Sequence, residues 1–301
     1  MNVHDAIEQA CSSVGIKPPR SHRIGQWVKT DTLTGKNGKG DGRVMVDEMK
    51  VVSWNWQTGV KDTVFLKDQA SPSERRQFAQ RRENDDQERR EKAARAARIA
   101  GELIGASRLA THAYFVSKGF PEEQALVVSA DHVEAIGGRY LLHGKSAIVM
   151  PAKIGGKITS AQLIWEDGTK KFIFGGETGG ACHRVASGSE TWLCEGYATG
   201  LSIRAALHAL SRSATVLCCF SASNVLAVSR QVQGRCFIAA DNDQPLEQFD
   251  GQGTAEHYAR LAEKPFTMPP EVGADFNDMH VRSGIFAVQR HLATFMRGVR
   301  R

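Results

Sequence analysis

From residue 191 to residue 283 short apolar runs alternate with amphipathic stretches, a pattern few architectures accept. Trp192 to Cys194, Thr215 to Phe220, Arg235 to Ala240 and Phe266 to Met268 read as strands. Thr199 to Leu210, Ser223 to Val232 and Gly253 to Ala262 read as the helices between them. Brief apolar strands separated by helices predict a parallel sheet buried on both faces. Functional side chains in such sheets gather beyond the carboxyl ends of the strands. Two of these ends are acidic: Leu193-Cys194-Glu195-Gly196 and Ala239-Ala240-Asp241-Asn242-Asp243. Asp241 and Asp243, two apart in extended chain, point the same way. A carboxylate cluster repels itself unless cations compensate, and hard oxygen ligands suit Mg²⁺ or Mn²⁺. On spacing alone a D-x-D after a strand also serves as a helix cap or turn, and both readings stay open.

The remainder of the chain divides by composition into an expected basic α+β region (1–70), a charged helical linker (71–108), a basic helical and β-rich subdomain (109–190) and a C-terminal basic helix (284–301), around the sheet domain at 191–283. Seven basic residues stand against two acidic ones between 17 and 43, and Gly35, Gly38, Gly40 and Gly42 punctuate that loop. Its backbone N–H groups could meet phosphate, but no P-loop ending follows, and a flexible hairpin connection is the alternative. Val44 to Val46, Val51 to Trp56 and Thr63 to Leu66 predict a small antiparallel sheet. Trp54 and Trp56 would share one strand face, either stacking single-stranded bases or packing into a core. Ser71-Pro72-Ser73-Glu74 reads as a helix start, followed by an Arg/Glu/Gln/Ala run expected to be solvated along its length. Leu109 to Ala125 looks helical, with Gly119-Phe120-Pro121 breaking it before a second short helix. Tyr140 to Val185 reads as β-rich, with Asp167-Gly168 as a hairpin turn.

These motifs carry a resemblance. The Glu-Gly at one strand end followed by D-x-D at another resembles the Toprim domain shared by bacterial DnaG-type primases, topoisomerases and certain nucleases. Cys194-Glu195-Gly196-Tyr197-Ala198-Thr199-Gly200, Ala239-Ala240-Asp241-Asn242-Asp243 and Asp275-Phe276-Asn277-Asp278 are similar to the Toprim primases of plasmids and phages. Pro151 through Gly176 resembles the basic β-rich subdomain that precedes Toprim in that family. The resemblance implies a mixed α+β fold, with a Rossmann-like parallel Toprim sheet preceded by a β-rich subdomain and a small N-terminal α+β region. It implies catalytic, metal-holding roles for Glu195, Asp241 and Asp243, with Glu195 as ligand or proton acceptor. Asp275 and Asp278 would hold metal or brace those that do. Lys153, Lys170, Lys171 and Arg184 are the implied nucleotide- or DNA-binding cations, Lys171 matching best.

The implied activity is a DNA primase: short RNA made on a single-stranded DNA template from NTPs with Mg²⁺ or Mn²⁺, in plasmid or phage replication. A Toprim nuclease using the same acids, and a non-catalytic DNA-binding replication protein, are the alternatives. The six cysteines form no CxxC pair or Cys/His set, so neither a zinc site nor a disulfide framework is expected. Template recognition would then fall to the basic N-terminal region with Trp27, Trp54 and Trp56. No Walker A motif occurs, so unwinding would need a separate helicase, with a single-strand-binding protein as a further partner. The longest apolar stretch, Ala214 to Phe220, is too short to span a bilayer, and a cytoplasmic, membrane-free protein is expected.

Overall fold

The computed structural model describes residues 1–34, 40–66 and 72–299. Gly35, Lys36, Gly38 and Lys39 of the basic loop, and the expected cap Ser71, lie outside the described residues. The chain divides into two compact units, Met1–Glu83 with Pro245–Thr254, and Asn84–Gln244 with Ala255–Arg301.

In the first unit Asn2 caps helix α1 (Val3–Val14) by accepting the Asp5 N–H, and Gly15, at φ 71°, ends it. The strands β1 (Trp27–Thr30), β2 (Gly42–Val46), β3 (Lys50–Asn55) and β4 (Lys61–Phe65) form an antiparallel sheet in that order. Helix α1 buries Ala6, Ile7, Ala10, Cys11 and Val14 against Val44, Val46, Val51 and Val64 on one sheet face. Buried Ser53 and Asn55 donate to the Ala10 and Val14 carbonyls, tying helix to sheet. The expected small antiparallel sheet is present, with β1 as a strand the pattern did not announce.

Helix α2 (Pro72–Gly105) begins at its proline. It is not solvated throughout, because Ala96, Ile99, Ala100 and Leu103 form a stripe buried against Val149, Ala161, Leu163 and Trp165. The segment after it is also not the expected helix. It contains β5 (Arg108–Ala110), the short α3 (Ala113–Ser117) and β6 (Ala125–Ser129), followed by α4 (Ala130–Gly137). A 3-10 turn at Arg139–Leu141 leads into β7 (Ser146–Ile154), β8 (Lys157–Trp165) and β9 (Lys170–Phe172), completing an antiparallel sheet ordered β5-β6-β7-β8-β9.

A second sheet in this unit contains β10 (His183–Ala186), β11 (Glu190–Cys194), β12 (Ala214–Cys218), β13 (Cys236–Ala239) and β14 (Phe266–Thr267), ordered β10-β12-β11-β13-β14. All pairings are parallel except that of β10. The crossovers are α5 (Tyr197–Ala209), α6 (Ala222–Ser229) and α7 (Thr254–Leu261), with α8 (Phe276–Ser283) and α9 (Ile285–Val299) closing the chain. Alternation along β11 sends Trp192 and Cys194 to one side and Leu193 to the other. On the first side lie α5, α8 and α9 together with Ile148, Met150 and Ile164 of the antiparallel sheet. The two sheets therefore share one core. On the second side α6 and α7 cover Leu193, Leu217 and Ile238. The six cysteines are free thiols. Among the described residues no helix is long and apolar enough to cross a membrane.

Asn224, buried on α6, clamps the loop before β10 to the sheet. It accepts the Gly180 N–H at 2.6 Å and donates to Ala181 O and Cys219 O, both at 2.7 Å. Asn224→Ala strands three buried backbone groups, and an equilibrium urea titration should show a loss of about 2–4 kcal/mol.

Candidate functional site

The strand register brings the acids that follow the parallel strands to one end of the sheet. Cys194 on β11 pairs with both Cys218 on β12 and Ala239 on β13, so the chain leaves all three strands at one level, carrying Glu195 and Asp241 with it. Gly200 lets α5 follow so closely, since a Cβ there would lie 3.2 Å from both Cys194 Sγ and Val185 Cγ2. Glu195 and Asp241 line a narrow crevice with Ala222, Ala240 and Ala255.

Electrostatics tie the acids together. Burial, then Asp243, pushes the Glu195 carboxyl up to about 7, against the pull of Lys170 and of the Ala222 N–H at the start of α6. Burial, then Glu195, Asp275 and Asp243, holds Asp241 well above the ordinary carboxylate range. Asp241 Oδ1 is fully buried, with no hydrogen-bond partner among the described residues. Asp243 is differently placed, because its Oδ2 accepts the Ala255 N–H at 2.8 Å. Asp275 caps α8 by accepting the N–H groups of Asn277 and Asp278, while Asp278 accepts the Asp275 N–H in return. Asp275 still faces Asp241 and Glu195, whereas the Asp278 charge acts on Arg282.

The four cations named from the sequence fare differently. Lys170, exposed on β9, is the one whose charge acts on Glu195 and Asp241. Lys171, next along the strand, donates its ammonium to the Tyr140 and Leu142 carbonyls at 3.0 and 2.7 Å. Lys153 is exposed on β7, where its charge acts on His183, and Arg184 is exposed on β10 beside Cys182. Trp54 and Trp56 lie in the first unit, on the sheet face opposite α1, with ring centroids 5.2 Å apart. Pattern reading missed Asn224, because nothing in its neighbourhood of sequence marks it. It also missed Phe220, in the left-handed region at φ 71°, whose ring meets Phe172 at 5.3 Å and joins β9 to the strand ends.

Among the described residues no group of three or more His, Cys, Asp or Glu side chains is gathered to hold a metal ion by itself. The expected convergence of Glu195, Asp241 and Asp243 is thus an electrostatic cluster rather than a closed ligand cage. Magnesium does not require such a cage, since it keeps several waters and takes one or two carboxylates plus substrate phosphates. Hard oxygen donors, mutual repulsion and the unpartnered Asp241 Oδ1 all fit a divalent cation.

The raised Glu195 carboxyl makes a stability prediction. Its proton is favoured in the fold, so the stability it confers is complete below the ordinary value of 4.5 and is lost as pH rises through about 7. Glu195→Gln mimics the protonated form. In EDTA the variant should melt with the wild type near pH 4 and increasingly above it up to about pH 8, and Mg²⁺ should narrow that gap. A gap independent of pH counts against the burial of this charge.

The comparison with known families bears on this same stretch of chain. Residues 190–285, from the first residue of β11 to the start of α9, match the model of the Toprim domain, and the chain therefore carries a Toprim domain whose strand ends present Glu195, Asp241 and Asp243.

Proposed function

We propose that this protein is a primase, joining ribonucleotides on a single-stranded DNA template for plasmid or phage replication. The observation that carries the reading is the acidic cluster at the Toprim strand ends faced by Lys170 from the adjoining antiparallel sheet. A Toprim domain is consistent with metal-dependent primase, nuclease and topoisomerase-like chemistry alike. What favours the primase is the basic antiparallel sheet sharing a core with the Toprim sheet, as the resemblance of residues 151–176 to the primase subdomain implies.

In this reading Asp241 and Asp243 hold Mg²⁺ or Mn²⁺, and Glu195 ligates or accepts the proton of the primer 3′-hydroxyl. An ion held there would supply charge neutralisation at the transferring phosphoryl group and would lower the pKa of that hydroxyl. Lys170 holds the triphosphate of the incoming nucleotide, its ammonium answering the charge that the acids leave uncompensated. Asp275 keeps its place through the α8 cap and adds to the negative field at Asp241. Lys171 braces the wall of the site through its two carbonyl contacts.

The test incubates the protein with circular single-stranded DNA, labelled NTPs and Mg²⁺ or Mn²⁺, beside an Asp241→Ala/Asp243→Ala control. Short labelled RNA from the wild type alone supports the primase. Metal-dependent nicking of the circle without RNA replaces it with a nuclease, and DNA binding with neither activity replaces it with a binding protein.

A further inference from the structure

The sheet of the first unit has one face covered by α1, and its other face carries exposed aromatic side chains. Across that other face the register aligns Lys29 with Arg43, Arg43 with Trp54, and Trp54 with Lys61, so one row crosses all four strands. Trp27 lies two residues from Lys29 on β1, and Trp56 directly follows β3, two residues beyond Trp54. Trp27 and Trp56 are 47% and 50% exposed, and Phe65, on the same face of β4, is 62% exposed. Large aromatic rings held out in water on one face mark an interaction surface.

The rings are fixed in place. Trp54 meets Trp56 edge-on at 5.2 Å and Trp27 at 6.4 Å. The Lys61 ammonium stands 3.9 Å over the Trp54 ring, and the Arg43 guanidinium stands 3.9 Å from the Trp56 ring. Arg43 is itself buried and anchored by donating to the Gly40 and Gly42 carbonyls. Trp56 is therefore backed by a cation on one side while half of its surface remains in water. Trp54, largely enclosed by its neighbours, supports the exposed rings rather than offering a free one.

We propose that this face binds single-stranded DNA, with Trp27 and Trp56 stacking bases and Lys29 and Lys61 meeting phosphates. The argument for that partner is complementarity: exposed aromatic rings interleaved with cations, and no acid in the cross-strand row, match a polyanion whose bases are unpaired. A duplex hides its base faces and offers the rings nothing to stack on. Four strands at the usual spacing span about 14 Å, room for a few nucleotides. Only the choice of DNA over RNA rests on the primase reading; the stacking surface stands without it.

The experiment titrates the full chain, in EDTA and without nucleotides, against a fluorescein-labelled dT oligonucleotide and follows anisotropy. Trp27→Ala/Trp56→Ala should weaken binding by at least about thirty-fold while the protein stays folded in a single cooperative urea transition, because the buried core under α1 is untouched. Trp27→Phe/Trp56→Phe should restore most of that loss by restoring stacking. Lys61→Gln should reduce the slope of log affinity against log salt by about 1 or less. Unchanged affinity in the double alanine variant, preference for duplex, or tighter binding of a uridine oligonucleotide overturns the proposal. So does a drop from dimer to monomer in the alanine variant, which would make the face a contact between copies. Tryptophan-dependent binding by a protein that fails to prime overturns the primase reading alone, and priming with tryptophan-independent binding overturns this one alone.

Discussion

Asp241→Asn is expected to abolish the proposed nucleotidyl transfer and yet, in EDTA at pH 8, to melt later than the wild type. The two effects share a cause. The Asp241 carboxyl is held above its ordinary range by desolvation and by Glu195, Asp275 and Asp243, and its buried Oδ1 has no partner among the described residues. An amide of the same shape removes the charge that the metal-free fold must otherwise bury. It also removes the anionic oxygen on which the proposed ion depends, and a loss of at least about a thousand-fold in rate is expected. Each kcal/mol recovered should raise the melting temperature by about 2–4 °C in a unit of this size. Asp243→Asn should lose activity with a smaller stability gain, since it relieves the repulsion on Glu195 and Asp241 but its own Oδ2 is already satisfied by the Ala255 N–H, a bond an amide oxygen can also accept. Priming assays and thermal melts on both variants check the pair. A less stable Asp241→Asn that still primes would remove Asp241 from the proposed site.

Trp192→Ala should be the most destabilising single substitution proposed for the Toprim sheet. Its ring is fully buried, stacked 4.8 Å from Phe237 and packed edge-on against Phe295, while its Nε1 donates to Glu190 Oε1. Truncation leaves a cavity in the core shared by the two sheets and withdraws a hydrogen bond from the buried Glu190 carboxylate, leaving it its ion pair with Arg212. Buried Trp-to-Ala changes cost about 3–5 kcal/mol, a large part of the roughly 5–15 kcal/mol that holds an ordinary domain folded. The urea midpoint should fall accordingly, with near-ultraviolet circular dichroism lost in the same transition. A loss below about 1 kcal/mol would mean that the core closes over the gap.

Much of the Toprim sheet was legible because its strands and helices alternate with clear apolar runs and end in acid. Every predicted strand and helix between 191 and 268 is present, with bounds shifted by at most three residues. The D-x-x-D pattern of Asp275 and Asp278 also contained its own explanation, a reciprocal cap that local spacing suffices to build. Elsewhere local pattern failed for identifiable reasons. β1 is a four-residue edge strand with no buried residue, so no apolar alternation announced it. The stripe from Ala96 to Leu103 sits at the end of a strongly charged helix and is built half of alanine, and only the sheet beneath it makes it core.

The sequence by itself determined which acids lie at the ends of which strands, because chain order and strand length are properties of the chain alone. Which of Lys170 and Lys171 faces those acids was decided only by tertiary structure. Adjacent residues on a strand point to opposite faces, and nothing local says which face the Toprim strand ends occupy. The same holds for the tryptophans: spacing could put Trp54 and Trp56 on one face, but the choice between core and open surface was made when α1 covered the other face. Asp241 carries the lesson furthest. Its place after β13 is written in the sequence, but the burial of its Oδ1 comes with side chains distant along the chain, Ala222 and Ala255 among those that line its crevice.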